Sequence, residues 1–598
     1  MKLSKVYAND SNRFGPIEFS DGLNAIIAQI RKPENRDKDT HNLGKTTFAK
    51  LLDFLLLAKR NKSQFLFKHF DNFKSFTFYL ELKLNENRFL TICRPVSTPS
   101  KISFKYHQEK HQNFSHLEDG LWDHFNVSFD RARSLLDSAL ELSDLDPWGY
   151  RQVTGYLLRT QNDYTDVFQL QKFKGKHETW KPFLAKILGF DSKLLSLQYQ
   201  TEKEIAEKES SIETLTSDVG VPSLDTGKIE GLLQLKQREA DKIESQLSDF
   251  DFREKDAKLS EIEITNLDLE ISELNEQRYF LNQSKNKIES SIQENSISFN
   301  VDEAETLFQE VGIFFKNQIK KDFEQLVDFN KSITEERKKY LSEELEEINS
   351  ELNDIRKKIN TLSTERVKSL NFIKEVDIFE KYKSISNELI TLKSDIETLE
   401  RQKENLNIIQ QLKIDLRKID RKLTQVEEAI EANIYSINSS SESVFSETRA
   451  YFSDIVEKVL SRKALLSASI NNNGHVEFSA EILDDRGNST SADLGHTYKK
   501  LLCVAFDLAV LRVHLNGKFP RWLYHDGLFE SLDNRKKENL LEVIREYANL
   551  GLQIIVTAID SDLPSRSSGD SPVFEPQQIV LELHDEDHSG RLFRMPSW

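Results

Sequence analysis

The stretch Asn42-Leu43-Gly44-Lys45-Thr46-Thr47 decides how the rest of the chain is read. Glycine, lysine and a hydroxyl residue in succession suit a loop whose backbone N–H groups wrap phosphate oxygens. The lysine adds a mobile positive charge and the hydroxyl ligates magnesium. The flanks fit this reading. Leu23-Asn24-Ala25-Ile26-Ile27-Ala28 is a short apolar run of buried-strand type, residues 31–43 are a polar loop, and Thr46 to Leu57 reads as a helix. A helix N-terminus behind the loop favours an anion. One departure stands out: the glycine expected five residues before Gly44 is Asp39, which costs energy near phosphates unless it points outward.

The complementary half lies near the C-terminus. Trp522-Leu523-Tyr524 reads as a short buried strand, followed by His525 and Asp526, and a carboxylate at a strand end can hold magnesium through water. Asp533 follows seven residues later, within Glu530-Ser531-Leu532-Asp533. Gln553 to Thr557, Ile579 to Leu583 and Leu592-Phe593 read as further strands, and Tyr498 to Val513 as a helix. On the N-terminal side, Lys2 to Tyr7 and Ile17 to Phe19 read as a strand pair. Residues 74–106 read as an antiparallel sheet, and 115–195 as mostly helix.

Between the two halves the texture changes. Ile264, Leu267, Ile271 and Leu274 keep 3-4 spacing, as do Ile385, Leu389, Leu392, Ile396 and Leu399, with Glu and Lys filling many other positions. This is the coiled-coil pattern. It breaks at Val219-Gly220-Val221-Pro222 and weakens near 295–303, the expected apex. An arm of about 100 residues would reach about 150 Å if fully helical. Periodicity alone also fits a helical spacer or a coiled-coil dimer. The need for two distant motifs to meet favours an antiparallel hairpin.

Composition narrows the class. The chain has 598 residues, 30% charged and 38% hydrophobic, with 12 prolines, the balance of long solvated helices. A net charge of −17 argues against a surface coated for nucleic acid, but not against a local basic patch. Two such patches occur. Lys59, Arg60 and Lys62 continue to Lys68 and Lys74, interleaved with Phe65, Phe67, Phe70 and Phe73. Lys172, Lys174 and Lys176 form the other. Lysines neutralise phosphates without reading sequence, although a solvated face over buried phenylalanines fits the first patch as well. Cys93 and Cys503 are far apart and outside any CxxC spacing, which argues against a disulfide framework or a cysteine zinc site. Met1 to Lys5 lacks an apolar signal core, and Leu51 to Leu57 is too short to span a bilayer, so a cytoplasmic protein without a membrane is expected. The acidic runs Asp484-Asp485 and Asp585-Glu586-Asp587-His588 read as turns rather than a nuclease centre.

With Phe19-Ser20-Asp21-Gly22-Leu23-Asn24 ahead of the loop, Gln161 inside Leu158-Arg159-Thr160-Gln161-Asn162-Asp163-Tyr164, and the Asp526–Asp533 interval, the chain resembles SMC-like ABC ATPases. That group contains chromosome-organising and double-strand-break-repair ATPases. The chain looks closest to a bacterial branch with a divergent C-terminal half, found in phage-defence systems. The resemblance is specific at both ends and generic over the coiled coil. It implies an α/β P-loop ABC-type ATPase head formed by N- and C-terminal segments, 1–194 and 446–598. A long antiparallel coiled-coil hairpin, 195–445, would be inserted between them. It implies ATP and Mg2+ as cofactors. Asn42, Gly44, Lys45, Thr46, Thr47, Gln161, Gly495, Thr497 and Asp533 would touch nucleotide, and Thr46, Gln161 and Asp526 the metal. It further implies a homodimer through the heads, DNA as a partner, and a separate effector such as a nuclease.

The chain departs from the family at three places. Leu494-Gly495-His496-Thr497-Tyr498 stands where Leu-Ser-Gly-Gly-Glu is expected, keeping one glycine of the pair. Gly527 stands where the family has a catalytic glutamate, and Ile559 where it has a switch histidine. Glu530, or a shift onto His525-Asp526, would have to supply the base, leaving Asp526 and Glu530 as the catalytic candidates. Because phosphoryl transfer rests mostly on positioning and charge, weak or conditional hydrolysis fits this pattern. The expected function is DNA sensing or clamping that controls a partner effector in anti-phage defence. The alternatives are a double-strand-break repair ATPase and a nucleotide-binding coiled-coil scaffold.

Overall fold

The computed structural model describes residues 1–32, 43–171, 175, 177–219, 226–248, 257–294, 317–370, 376–484, 486–490, 495–565 and 572–596. Asp39, Asn42, Lys172, Lys174, Lys176, Val221, Pro222, Asp485, Leu494 and the expected apex at 295–303 lie outside the described residues. The chain divides into two units: Met1–Glu204 with Ile419–Trp598, and Ile205–Lys418.

Among the described residues, the first unit holds three sheets. Strands β1 (Lys2–Ala8), β2 (Ile17–Glu18), β4 (Thr77–Asn85), β5 (Arg88–Pro95), β6 (Lys101–His107) and β7 (His124–Ser128) form an antiparallel sheet ordered β2-β1-β4-β5-β6-β7. Strands β3 (Leu23–Gln29), β8 (Leu158–Arg159), β11 (Trp522–His525), β12 (Gln553–Ile559) and β13 (Ile579–His584) form a parallel sheet ordered β13-β3-β12-β11-β8. Strands β9 (Ala464–Ile470) and β10 (Val476–Ile482) make a two-stranded antiparallel sheet.

The parallel sheet is where the chain ends meet. β3 lies between β12 and β13, pairing Leu23 with Ile554 and Ala25 with Ile579. An N-terminal strand with both neighbours from the last fifty residues cannot form from either terminal segment alone. Its composition fits the position: Ala25, Ile26 and Ala28 are fully buried, the near-continuous apolar run of a strand covered on both faces. Each isoleucine taken out of water there contributes roughly 1.5–3 kcal/mol. Gln553 ties the two sheets together, accepting from Leu3 N at 2.8 Å and donating to Leu3 O at 2.7 Å and Ser20 O at 2.8 Å. Leu592-Phe593, expected as a strand, instead lies in an irregular segment whose side chains pack into the core.

The second unit is helical: Thr226–Ser248, Ala257–Glu294, Asn317–Leu370 and the leading part of Val376–Ser439. Ala240 and Ile243 pack on Leu392, flanked by Ile385, Leu389 and Ile396, part of the 3-4-spaced set. Lys236–Asp395 at 2.6 Å and Glu230–Lys403 at 2.8 Å show that these two helices run antiparallel. Ala257–Glu294 packs along Asn317–Leu370 and also meets Val376–Ser439, through Asp268 with Ser386 at 2.9 Å and Glu276 with Arg401 at 2.6 Å. Those numbers rise together, so this third pairing is parallel. The apolar stripe is therefore shared among more than two helices, because Thr226–Ser248 and Ala257–Glu294 both face Val376–Ser439. Arg366 sits buried at the junction, 2.6 Å from Asp268 and 2.7 Å from Asn387. Among the described residues, no helix is long and apolar enough to cross a membrane.

Candidate nucleotide site

The loop–helix junction is built by glycine. Gly44 caps the Lys45–Leu55 helix with φ +112°, and a Cβ there would lie 2.6 Å from Leu592 Cβ. Backbone angle and space therefore both require glycine. The helix is anchored by Phe48, Leu51, Leu52 and Leu55, an amphipathic spacing whose residues are fully buried. Its N-cap residue, Gly44, has no side chain to cap the first turn, and the N–H groups of a helix start favour an anion.

Lys45 and Thr46 open this helix against the end of β11. Thr46 Oγ1 donates to Asp526 Oδ2 at 2.6 Å, and Thr557 Oγ1 donates to Asp526 Oδ1 at 2.7 Å. Thr557 also accepts from Gly527 N at 2.8 Å, so one hydroxyl within the apolar β12 fixes both the carboxylate and the start of the following turn. Tyr524 OH donates to Lys45 O at 3.1 Å. Asp526 is fully buried, and its backbone N–H donates to Arg159 O at 3.1 Å.

Glu530 occupies the centre of the site. Its carboxylate lies 3.3 Å from Lys45 Nζ and accepts from Gln161 Nε2 at 2.7 and 2.9 Å. Gly527 has φ +65°, and a Cβ there would stand 2.7 Å from the Glu530 carboxyl group. The carboxylate of Glu530 thus fills the space that a side chain at 527 would enter. The turn between them closes through Glu530 N to Gly527 O at 3.3 Å. Gln161 is presented by a short helical turn, Gln161–Thr165, where Thr160 and Asp163 bond reciprocally at 2.9 and 3.1 Å. His525, the other candidate base, points elsewhere: it is buried against Tyr164 OH at 3.0 Å, and burial pushes its pKa well below the usual imidazole value.

The remaining sequence-derived candidates are placed less centrally. Thr47 follows in the helix, half-buried. Gly495 caps the His496–Val513 helix and is exposed, while Thr497 Oγ1 donates to Ser531 O at 3.4 Å. Asp533 caps the Asn534–Asn549 helix, accepting from Lys536 N at 3.1 Å and pairing with Lys536 Nζ at 2.6 Å. The Lys536 hydrogen bond holds its carboxyl below the usual range. Lys59, Arg60 and Lys62 are exposed, with the Arg60 guanidinium 5.0 Å from the Phe67 ring centre. Of the phenylalanines interleaved with them, Phe73 is core, stacked edge-on with Phe65 and Phe593, and Phe70 is exposed.

Two participants escaped the sequence reading. Thr557 was signalled only as a hydroxyl inside an apolar strand. Lys500 opens the fully buried stretch of the His496–Val513 helix, and its Nζ donates to Gly527 O at 2.8 Å and Glu530 O at 3.1 Å.

A magnesium nucleotide fits this donor set. The metal needs few protein ligands when phosphates and water supply the rest. A hydroxyl (Thr46), a buried carboxylate (Asp526) and an amide (Gln161) converge beside a lysine and a helix N-terminus. Among the described residues, no group of three or more His, Cys, Asp or Glu gathers to hold a metal by itself.

Residues 455–597 match a family model described as DUF2326, an uncharacterised protein conserved in bacteria. No curated protein matches the chain. Solved structures with a similar arrangement include the Smc head domain with a coiled coil and joint from Pyrococcus yayanosii, 14% identical over 93% of this chain and 92% of that one, with a TM-score of 0.34. Another is the Smc head domain with an extended coiled coil bound to the C-terminal domain of ScpA from Pyrococcus furiosus, 12% identical over 94% and 90%, also with a TM-score of 0.34.

Proposed function

We propose that this chain binds MgATP in a site assembled from its two ends, as an SMC-like ABC-type ATPase. The observation that carries this reading is the Thr46–Asp526 hydrogen bond of 2.6 Å beside Lys45. It joins the two residue types that bracket magnesium in phosphate-binding loops. In this reading Gly44, Lys45 and the helix N-terminus take the phosphates, and Thr46, Asp526 and Gln161 take the metal. Bound MgATP supplies the electrophilic phosphorus and a counter-charge for the leaving oxygens. The chain's own residues do the rest. Lys45 exchanges Glu530 for phosphate. Glu530, released but still beside Gln161, accepts at a carboxylate oxygen the proton of an attacking water. Thr557 keeps Asp526 oriented.

The wider role extends the same reading. ATP closes a homodimer of heads through the Gly495–Thr497 segment and Asp533. The exposed Lys59, Arg60 and Lys62 contact DNA phosphates, and closure controls a separate effector. The placement in bacterial phage defence rests on the sequence resemblance alone.

The test is MgATP binding, turnover and oligomeric state of the full chain and of Lys45→Ala, with and without linear DNA. Loss of ATP binding and of DNA-dependent dimerisation in the variant supports the reading. Unchanged assembly in the variant favours the scaffold alternative, and robust DNA-stimulated turnover of the unmodified protein favours a repair ATPase.

A further inference from the structure

Lys500 is 2% exposed, on the first turns of the His496–Val513 helix. A lysine rarely goes that deep without a task for its charge. Burial holds its pKa below the usual lysine value, only partly opposed by Glu530, Asp562 and Asp526. Its ammonium makes two contacts with one short segment, the carbonyls of Gly527 at 2.8 Å and Glu530 at 3.1 Å. Those carbonyls belong to the first and last residues of the turn that lifts the Glu530 carboxylate over Lys45.

The turn is anchored in the middle by the fully buried Leu528 and Phe529 and by Leu528 N to Thr557 O at 3.2 Å, so what remains to be set is the direction of its Glu530 end. Gly527 and Ser531 both have positive φ, +65° and +66°. Its leading end is fixed by Gly527 N to Thr557 Oγ1 at 2.8 Å. At its trailing end, Lys500 is the charged donor. The same helix turn also carries Thr497, whose hydroxyl reaches Ser531 O at 3.4 Å. One helix N-terminus therefore grips residues 527–531 at three carbonyls.

We propose that Lys500 is a positioning residue that sets where the Glu530 carboxylate stands. Through it, movement of the His496–Val513 helix governs whether Glu530 sits on Lys45 and Gln161 or leaves them for bound nucleotide. This inference rests on the nucleotide reading above and adds regulation to that site. Any contact that shifts the 495–500 turn, such as a second head closing on it, would reach Glu530 through one ammonium group.

The experiment is a double-mutant cycle on the full-length chain, read as affinity for a fluorescent ATP analogue with magnesium. Lys45→Ala is the control for the site itself. Glu530→Gln removes the carboxylate that competes for Lys45 and should tighten binding about threefold or more. In a Lys500→Met background the same Glu530→Gln change should have no effect, because Glu530 no longer stands on Lys45. Lys500→Gln returns one donor to the two carbonyls and should restore part of the Glu530→Gln effect. It also replaces Lys500→Met if circular dichroism shows that variant unfolded. Persistence of the full Glu530→Gln effect in both Lys500 variants overturns the inference while leaving the site intact. No effect of Glu530→Gln in the unmodified background, with Lys45→Ala still abolishing binding, overturns the Glu530 placement and the inference with it. Binding unaffected by Lys45→Ala overturns the nucleotide reading itself.

Discussion

Thr46 and Asp526 lie 480 residues apart in sequence and 2.6 Å apart in space, hydroxyl to carboxylate. Replacing Thr46 with valine keeps the shape and removes the donor. MgATP affinity should fall about tenfold or more, while stability falls by about 1–3 kcal/mol, because the buried Asp526 carboxylate loses one of its donors. Titration with a fluorescent nucleotide, with and without EDTA, beside a thermal melt separates the two effects.

Gly44→Ala should be costly in a different way. The backbone angle of +112° and the 2.6 Å approach to Leu592 Cβ both resist a methyl group. A loss of about 1–3 kcal/mol is expected from the strained backbone, together with loss of nucleotide binding. Denaturant unfolding measures the first and the same titration the second.

Gly527→Ala puts a methyl group 2.7 Å from the Glu530 carboxyl. Glu530 must move, so any hydrolysis should fall about as far as in Glu530→Gln, about 100-fold or more if Glu530 is the base. The double variant should be no worse than Glu530→Gln. Single-turnover assays with protein in excess read this even where turnover is slow.

The legibility of this site in the sequence was uneven for physical reasons. Gly44-Lys45-Thr46 could be read because its chemistry is local: a glycine, a lysine and a hydroxyl residue in succession at a helix start, with the strand Leu23–Gln29 upstream. β11 and β12 could be read because buried parallel strands are mostly apolar, and β13 because Ile579 to Leu583 is an apolar run interrupted only by the exposed Glu582; the expected spans agree with Trp522–His525, Gln553–Ile559 and Ile579–His584 to within two residues. The relation between Gly527 and Glu530 was not legible, since a missing side chain at one position is filled from another only through a turn of positive φ. Lys500 was hidden for a similar reason. Lys499 and Lys500 are adjacent in sequence, and only the packing of the helix shows that Lys500 is the buried one. In the helical unit, 3-4 spacing marked the apolar stripe but could not say how many helices share it.

His514 gives a pH prediction. Its ring stacks on Phe519, its Nε2–H donates to Ile187 O at 2.7 Å, and Asp144 and Lys186 are the charges that face it. Burial lowers its pKa below the usual 6.5. The unfolded chain therefore takes up a proton that the folded one refuses. Stability from this group is complete above about pH 6.5 and is lost as pH falls toward the depressed folded value. His514→Gln should flatten that part of the acid side of the stability profile, measured by urea unfolding between roughly pH 7 and 5.

We propose that the two ends of the chain grip one magnesium nucleotide. This is tested most directly by calorimetric titration of MgATP into the full-length protein and into Asp526→Asn, which changes only the C-terminal contribution. Saturable binding that EDTA weakens is expected, with a loss of about tenfold or more in affinity for the variant. Binding of equal strength in both proteins, indifferent to magnesium, would contradict it.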